Sequence, residues 1–205
     1  MAYLKEPERQ PFVRIPVATA GLILILVAAH VARVTAPLER SNAILANYAF
    51  YPARYSHAFL VAHGANHQSF WDRAIPFVSY IFLHDGFAHL AVNCIWLLPF
   101  GALVARRFGA LLFFAFFLVC GIAGALSQLM TNWGSMQSMI GASAAISGLM
   151  AAGFRIIAPV EASNAAAYSS AISGDHPPPL APAFSERILL WSALWVLINV
   201  FAGLP

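Results

Sequence analysis

Five apolar segments, each close to the length that crosses a lipid bilayer, constrain this chain more than any other feature of its sequence. A membrane span needs about 20 mainly apolar residues, and no charged residue lies at the centre of any of the five. Across the chain 60% of the 205 residues are hydrophobic, against about 45–50% in soluble domains. The sequence therefore predicts an all-α membrane protein, a polytopic helical bundle with five transmembrane helices at 16–31, 87–104, 108–130, 139–157 and 188–204.

The basic residues sort by side of the membrane rather than forming a patch for nucleic acid. The predicted topology collects most of them on one side, namely Lys5, Arg9, Arg14, Arg106, Arg107, Arg155 and Arg187. Because positively charged loops stay in the cytoplasm, we expect a cytoplasmic amino terminus in an integral, multi-pass protein of a bacterial inner membrane. The first segment could also be a signal peptide, but its apolar run exceeds the roughly 7–15 residues of a signal core, which favours a retained helix.

Three stretches complete the predicted organisation. Residues 1–15 form a cytoplasmic amino-terminal segment, and residues 16–205 form the transmembrane domain. The outer-side connection 35–85 mixes aromatic and polar residues, which is typical of structure at the membrane interface. The connection 158–187 is rich in proline, serine and alanine, and it is predicted to be an extended or disordered cytoplasmic loop.

A serine among small residues, Ser143 in the Gly-Ala-Ser-Ala run at 141–144, lies near the start of the fourth segment. On its own it favours a plain packing role, because small residues let membrane helices approach closely. His89 and Asn93 lie four residues apart in the second segment and so share a helix face. Both segments run in the same direction in the predicted topology, so the three side chains are expected at similar depth in the outer half of the bilayer.

Each of these residue types suits acyl transfer. A hydroxyl at the beginning of a helix, as expected for Ser143, faces unpaired backbone N–H groups and the positive end of the helix dipole. The His89 imidazole and the Asn93 amide are donors of the kind that an oxyanion hole uses. Intramembrane polar residues are rare and usually functional, which outweighs the alternative that they only cap or pin helices. The elbow motif Gly-x-Ser-x-Gly of soluble hydrolases is absent, because Ala145 occupies its last position.

These residues together make the chain resemble the rhomboid family of intramembrane serine proteases. The run Phe-Leu-His-Asp-Gly-Phe-Ala-His-Leu-Ala-Val-Asn at 82–93 is similar to the second transmembrane helix of that family. Gly141 and Ala144, which surround Ser143, are similar to its nucleophile motif Gly-x-Ser-Gly/Ala. The resemblance covers about residues 70–157.

The resemblance implies a role for each polar residue. Ser143 would be the nucleophile, while His89, Asn93 and the Ser143 backbone N–H would form the oxyanion hole, with His84 supporting that region. The implied substrate is a transmembrane helix with helix-destabilising residues, cut near its outer end. The implied partners are therefore the lipid bilayer and transmembrane protein substrates, with no nucleic acid, no cofactor and no metal.

The sequence departs from the family pattern at the catalytic base. Rhomboids take this histidine from a sixth helix, whereas this chain stops at Pro205 and no histidine follows His176. A serine without a base is a poor nucleophile, so the chain as given is expected to be nearly inactive. Truncation is the favoured explanation, with a degenerate homologue and complementation by a separate polypeptide as alternatives. Ala105 also occupies the position where the family usually has Glu, and Ser147 the position where it often has an aromatic residue.

Other functions stay open. A catalytically inactive rhomboid-like protein would bind transmembrane clients in the same cavity. A small transporter or channel would call for polar residues at inner-leaflet depth, and 97–104 and 149–153 have essentially none. His63 and His67 have the spacing of metal ligands on a helix, but they fall in a predicted loop without a third ligand, which favours solvated histidines.

Overall fold

The computed structural model describes residues 15–62, 69–157 and 180–202. Within these ranges the chain is helical, and its β pairing is one isolated bridge between Phe50 and Met139. The helices are α1 Val17–Val34, α2 Leu38–Tyr48, α3 His57–Ala62, α4 Phe70–Ala74, α5 Pro76–Ser79, α6 Phe87–Thr131, α7 Ser143–Ile157 and α8 Glu186–Ala202, with 3₁₀ turns at Pro52–Tyr55 and Tyr80–Phe82. The predicted all-α fold is confirmed.

Helix α6 is a hairpin of two arms rather than one rod. Its 45 residues would extend about 68 Å at 1.5 Å per residue, more than twice the roughly 30 Å of a hydrocarbon core. The backbone leaves the helical conformation at Gly109, where φ is 80° and ψ is 169°, a region that glycine reaches without steric cost. Residues 87–108 form the first arm and residues 110–131 the second. Arg106 and Arg107, which the sequence predicted in a turn, lie instead at the end of the first arm.

Both arms of α6 pack on α7, and the order of their contacts gives the directions of the helices. Along the first arm, later residues contact later residues of α7, so this arm runs parallel to α7. Along the second arm, later residues contact earlier residues of α7, so this arm runs antiparallel to α7. The neighbouring pairs are His89 with Gly141 and Phe100 with Gly153 for the first arm, and Gly124 with Ala144 and Cys120 with Gly148 for the second. The start of α6 therefore lies at the same end of the bundle as the start of α7.

Close approach between these helices depends on their small residues. At Gly153, for example, a Cβ atom would lie 2.5 Å from Cδ1 of Phe100, a separation that real Cβ atoms essentially never show. A side chain at Gly148 would likewise collide with Cys120. This is the small-residue packing that membrane helices use to bring their backbones together.

Helix α1 packs on the bundle through one face. Its buried residues recur every three or four positions, at Thr19, Leu22, Leu26, His30 and Arg33, which is the spacing of one helix face. By length and hydropathy, Val17–Val34 and Phe87–Thr131 are able to cross a membrane, whereas Ser143–Ile157 is apolar but shorter.

The predicted outer-side connection 35–85 forms a layer of short helices tied to the bundle. Phe50 and Tyr80 are fully buried in it. The backbone of Phe50 pairs with Met139 through two hydrogen bonds of 2.8 and 3.1 Å. The Tyr80 hydroxyl donates to the Gly121 carbonyl on the second arm at 2.7 Å. These contacts fix the segment that leads into α7.

Three predicted helix starts need correction. The third span was predicted from residue 108, but the second arm of α6 begins after Gly109. The fourth span was predicted from residue 139, but α7 begins at Ser143, because Met139 pairs with the outer layer and Gly141 has a φ of 107°. The fifth was predicted from residue 188, and α8 begins at Glu186. The predictions for residues 1–14, for His63 and His67, for 158–179 and for the end of the last span at 204 lie outside the described residues.

Candidate active site

A left-handed glycine places Ser143 at the first residue of α7. Gly141 has a φ of 107°, a conformation that L side chains rarely adopt, and its N–H donates to the Tyr80 carbonyl at 3.0 Å. A backbone hydrogen bond of 2.9 Å then runs from the Ile146 N–H to the Ala142 carbonyl. The N–H groups at the start of α7, including that of Ser143, therefore have no helical partner.

The imidazole of His89 lies directly against Gly141, two residues before Ser143. A Cβ atom at Gly141 would be 2.7 Å from both Cε1 and Nε2 of His89, so only glycine leaves room for the ring. Both His89 and Ser143 are half-buried. Within the part of the chain that the structure describes, the Ser143 hydroxyl makes no hydrogen bond. The imidazole of α6 and the serine motif of α7 thus meet at the same end of the bundle.

Asn93 lies one turn after His89 on the first arm of α6 and is only 3% exposed. Its Nδ2 donates to the His89 carbonyl at 2.8 Å, while its buried Oδ1 has no partner among the described residues. Leaving a buried polar atom unpaired costs about 1–3 kcal/mol. A role limited to pinning its own helix therefore does not explain this residue.

His84 packs against His89 from the segment that precedes α6. Its ring is fully buried and meets the His89 ring edge to face, with 5.2 Å between centroids, and the His30 ring at 6.3 Å. The His84 carbonyl accepts a 2.7 Å hydrogen bond from Nη2 of Arg33. Burial, and then the neighbouring His89 and His30, lower the pKa of His84 to about 4.

Acidification is expected to weaken the fold through His84. Its unfolded pKa is about 6.5, above the folded pKa of about 4, so between these values the unfolded chain binds a proton that the folded chain does not. Stability is then unaffected above pH 7 and falls as the pH drops from about 6.5 towards 4. Thermal unfolding in detergent at pH 7 and pH 5 measures this loss, and His84→Asn should reduce it. An equal loss in the two proteins would contradict the prediction.

Ser147 and Trp195 form a link that the sequence did not indicate. The Ser147 hydroxyl donates to the Ser143 carbonyl at 2.8 Å and accepts from the Trp195 indole at 2.8 Å. The Trp195 ring also meets Trp96 edge to face, 5.2 Å between centroids. Helix α8 is therefore tied to the turn that begins with Ser143. The sequence offers no local signal for this link, because 48 residues separate its two side chains.

A groove of about 670 Å³ runs along α7, between the second arm of α6 and α8. The part of α7 that lines it is formed by Gly148, Ala151, Ala152 and Arg155. Ala151 belongs to the same i, i+4 row as Ser147 and Ser143. The row that borders the groove therefore leads towards Ser143 at the start of the helix.

Comparisons with known proteins identify the family of the chain. A sequence model of the Rhomboid domain matches residues 68–204. The chain is also 35% identical, over 75 residues, to the RHOMBOID-like protein 5 of Arabidopsis thaliana. That match covers 37% of this chain and 24% of the plant protein. Because the domain match spans about two thirds of the chain, on an all-α bundle with apolar helices, this protein belongs to the rhomboid family of membrane proteins.

Proposed function

We propose that this chain is the core of an intramembrane serine endopeptidase that cuts transmembrane-helix substrates near the outer membrane boundary. Ser143 is the nucleophile, and His89, Asn93 and the Ser143 N–H donate to the developing oxyanion. The observation that carries the proposal is the His89 ring against Gly141 beside the first residue of α7. The amino terminus is cytoplasmic in this proposal, which puts the start of α7 on the outer side.

The geometry supports these roles for physical reasons. The unpaired N–H groups at the start of α7 and the positive end of its dipole favour negative charge beside Ser143. Preorganised donors stabilise a tetrahedral intermediate, and the loss of one typically costs about 2.7–4 kcal/mol of transition-state stabilisation. The half-buried position of Ser143 and its free hydroxyl suit a nucleophile.

The proposed base comes from a helix seated in the groove along α7. Apart from Arg155 and Ser192, the groove is lined by small and apolar residues, which suits a close-packed helix. Such a helix would follow the row of Ala151 and Ser147 towards Ser143, where a histidine could accept the hydroxyl proton. A longer natural chain or a second polypeptide could supply this helix.

A fluorophosphonate probe tests the proposal on the protein at its full natural length in membranes. We expect covalent labelling of Ser143, located by mass spectrometry of the digest, with Ser147 and Ser138 unlabelled in the same sample. Activated serines react with such probes because their hydroxyl is deprotonated by a neighbouring base. Absence of labelling would support the alternative, a catalytically inactive rhomboid-like protein that binds transmembrane clients equally well with or without the Ser143 hydroxyl.

Filling the groove is expected to remove activity without unfolding the protein. Ala151 is exposed and lines the groove, so Ala151→Trp places a large ring where the base-bearing helix must pack. We expect substrate cleavage to fall by about tenfold or more, as for a displaced catalytic group. Ala123→Trp is the control, because Ala123 is exposed on the second arm outside the groove. Equal activity in the two variants would argue against a helix in this groove.

A further inference from the structure

A second cavity, of about 520 Å³, lies between the last turn of α1 and helix α2. Arg33 closes α1 and Arg40 lies in the first turn of α2, and both line the cavity. None of the lining residues is acidic. The cavity therefore presents two positive charges without a carboxylate on its walls.

Arg33 is a buried cation with neutral partners. It is 8% exposed, and its guanidinium donates to the His84 carbonyl at 2.7 Å and to the Ser41 hydroxyl at 3.2 Å. Its Nε has no hydrogen-bond partner among the described residues. Neither Arg33 nor Arg40 forms an ion pair with a carboxylate in that part of the chain. A buried charge is costly unless it is paired, so the cavity favours an anion.

The position of the cavity indicates where this anion comes from. It adjoins the end of α1, a helix long and apolar enough to cross a membrane. Helix α2 buries only Ser41 and exposes 76% of Leu38, as expected for a helix lying on a membrane surface. Ala29 and Ala32 on α1 also line the cavity, so an apolar wall continues from the arginines along the span.

We propose that this cavity binds the phosphate of an anionic phospholipid from the surrounding bilayer. The phosphate lies between Arg33 and Arg40, since guanidinium groups bind phosphate through paired N–H donors. One acyl chain follows Ala29 and Ala32 down the face of α1. The net positive charge of the cavity selects an anionic headgroup over a zwitterionic one. This proposal is independent of the proposed protease activity.

Native mass spectrometry of the full chain in detergent tests the proposal with dioleoylphosphatidylglycerol as the probe. Wild type is expected to retain this lipid about tenfold better than dioleoylphosphatidylcholine, and Arg40→Gln to lower its retention about tenfold, the loss expected for one charge-assisted contact. Arg40 is exposed, so its substitution leaves the core intact. Arg54→Gln is the control, because it removes one charge from the same connection outside the cavity.

Three results would overturn the proposal. The first is a loss of phosphatidylglycerol in Arg40→Gln that is no larger than the loss in Arg54→Gln. The second is equal retention of the two lipids by wild type, a comparison that needs no variant and stands even if Arg40→Gln fails to fold. The third is displacement of the lipid by millimolar inorganic phosphate, which would identify the cavity as a site for the free anion.

Discussion

Replacing Ser143 with alanine is expected to abolish cleavage of a reconstituted transmembrane substrate by the full-length protein. Ser143 begins α7 at the N–H groups that have no helical partner, whereas the nearby Ser147 hydroxyl is already hydrogen-bonded to the Ser143 carbonyl and the Trp195 indole. Loss of a nucleophilic serine costs a serine protease up to about 10⁶ in kcat. We therefore expect a fall on the order of 10⁴ or more, measured as product formed per hour in vesicles.

The matched control for this variant is Ser138→Ala. It makes the same chemical change in the connection that precedes α7, where Ser138 is exposed and comes before the turn at Gly141. Its cleavage rate should equal that of wild type. Wild-type rates in Ser143→Ala would exclude the protease and leave the client-binding alternative.

Gly141→Ala is expected to disable the site by displacing the His89 imidazole. Its Cβ would lie 2.7 Å from Cε1 and Nε2 of His89, so the imidazole must leave its place beside the serine motif. Losing a donor from an oxyanion hole typically lowers kcat by about 10²–10³, and we expect a loss of that size. The φ of 107° at Gly141 adds a backbone cost of about 1–3 kcal/mol in the free energy of unfolding.

Gly134→Ala separates these two effects. Gly134 also has a positive φ, of 76°, but a Cβ there would meet nothing within 4 Å. This variant should show the backbone cost in thermal unfolding and keep its cleavage rate. If Gly141→Ala cleaves as fast as Gly134→Ala, then His89 has no part in the reaction.

The sequence predicted the fold class and the parallel course of two spans, because apolar length and charge distribution determine both. It also predicted a reversal between the second and third spans but not its position at Gly109, since a single glycine between two apolar runs carries no signal that separates a turn from a packing position. The paired arginines at 106 and 107 pointed to a turn that lies two residues later. Apolar length thus located the spans but misplaced their ends.

At the candidate site too, the sequence predicted local features but not the contacts between distant residues. Spacing along the chain was enough to put His89 and Asn93 on one face of α6. The contacts that position α7 join residues far apart in sequence, as in the backbone pairing of Phe50 with Met139. No local pattern encodes such a pair, and for that reason the helix was predicted to start four residues before Ser143 (139 against 143).

The single-residue reversal in α6 has a consequence for biogenesis. Because a single non-helical residue joins the two arms and no loop separates them, they are expected to enter the bilayer together as one unit. Their mutual contacts are close in sequence and therefore form early. The chain would then acquire α7 by docking it onto a prefolded pair of helices.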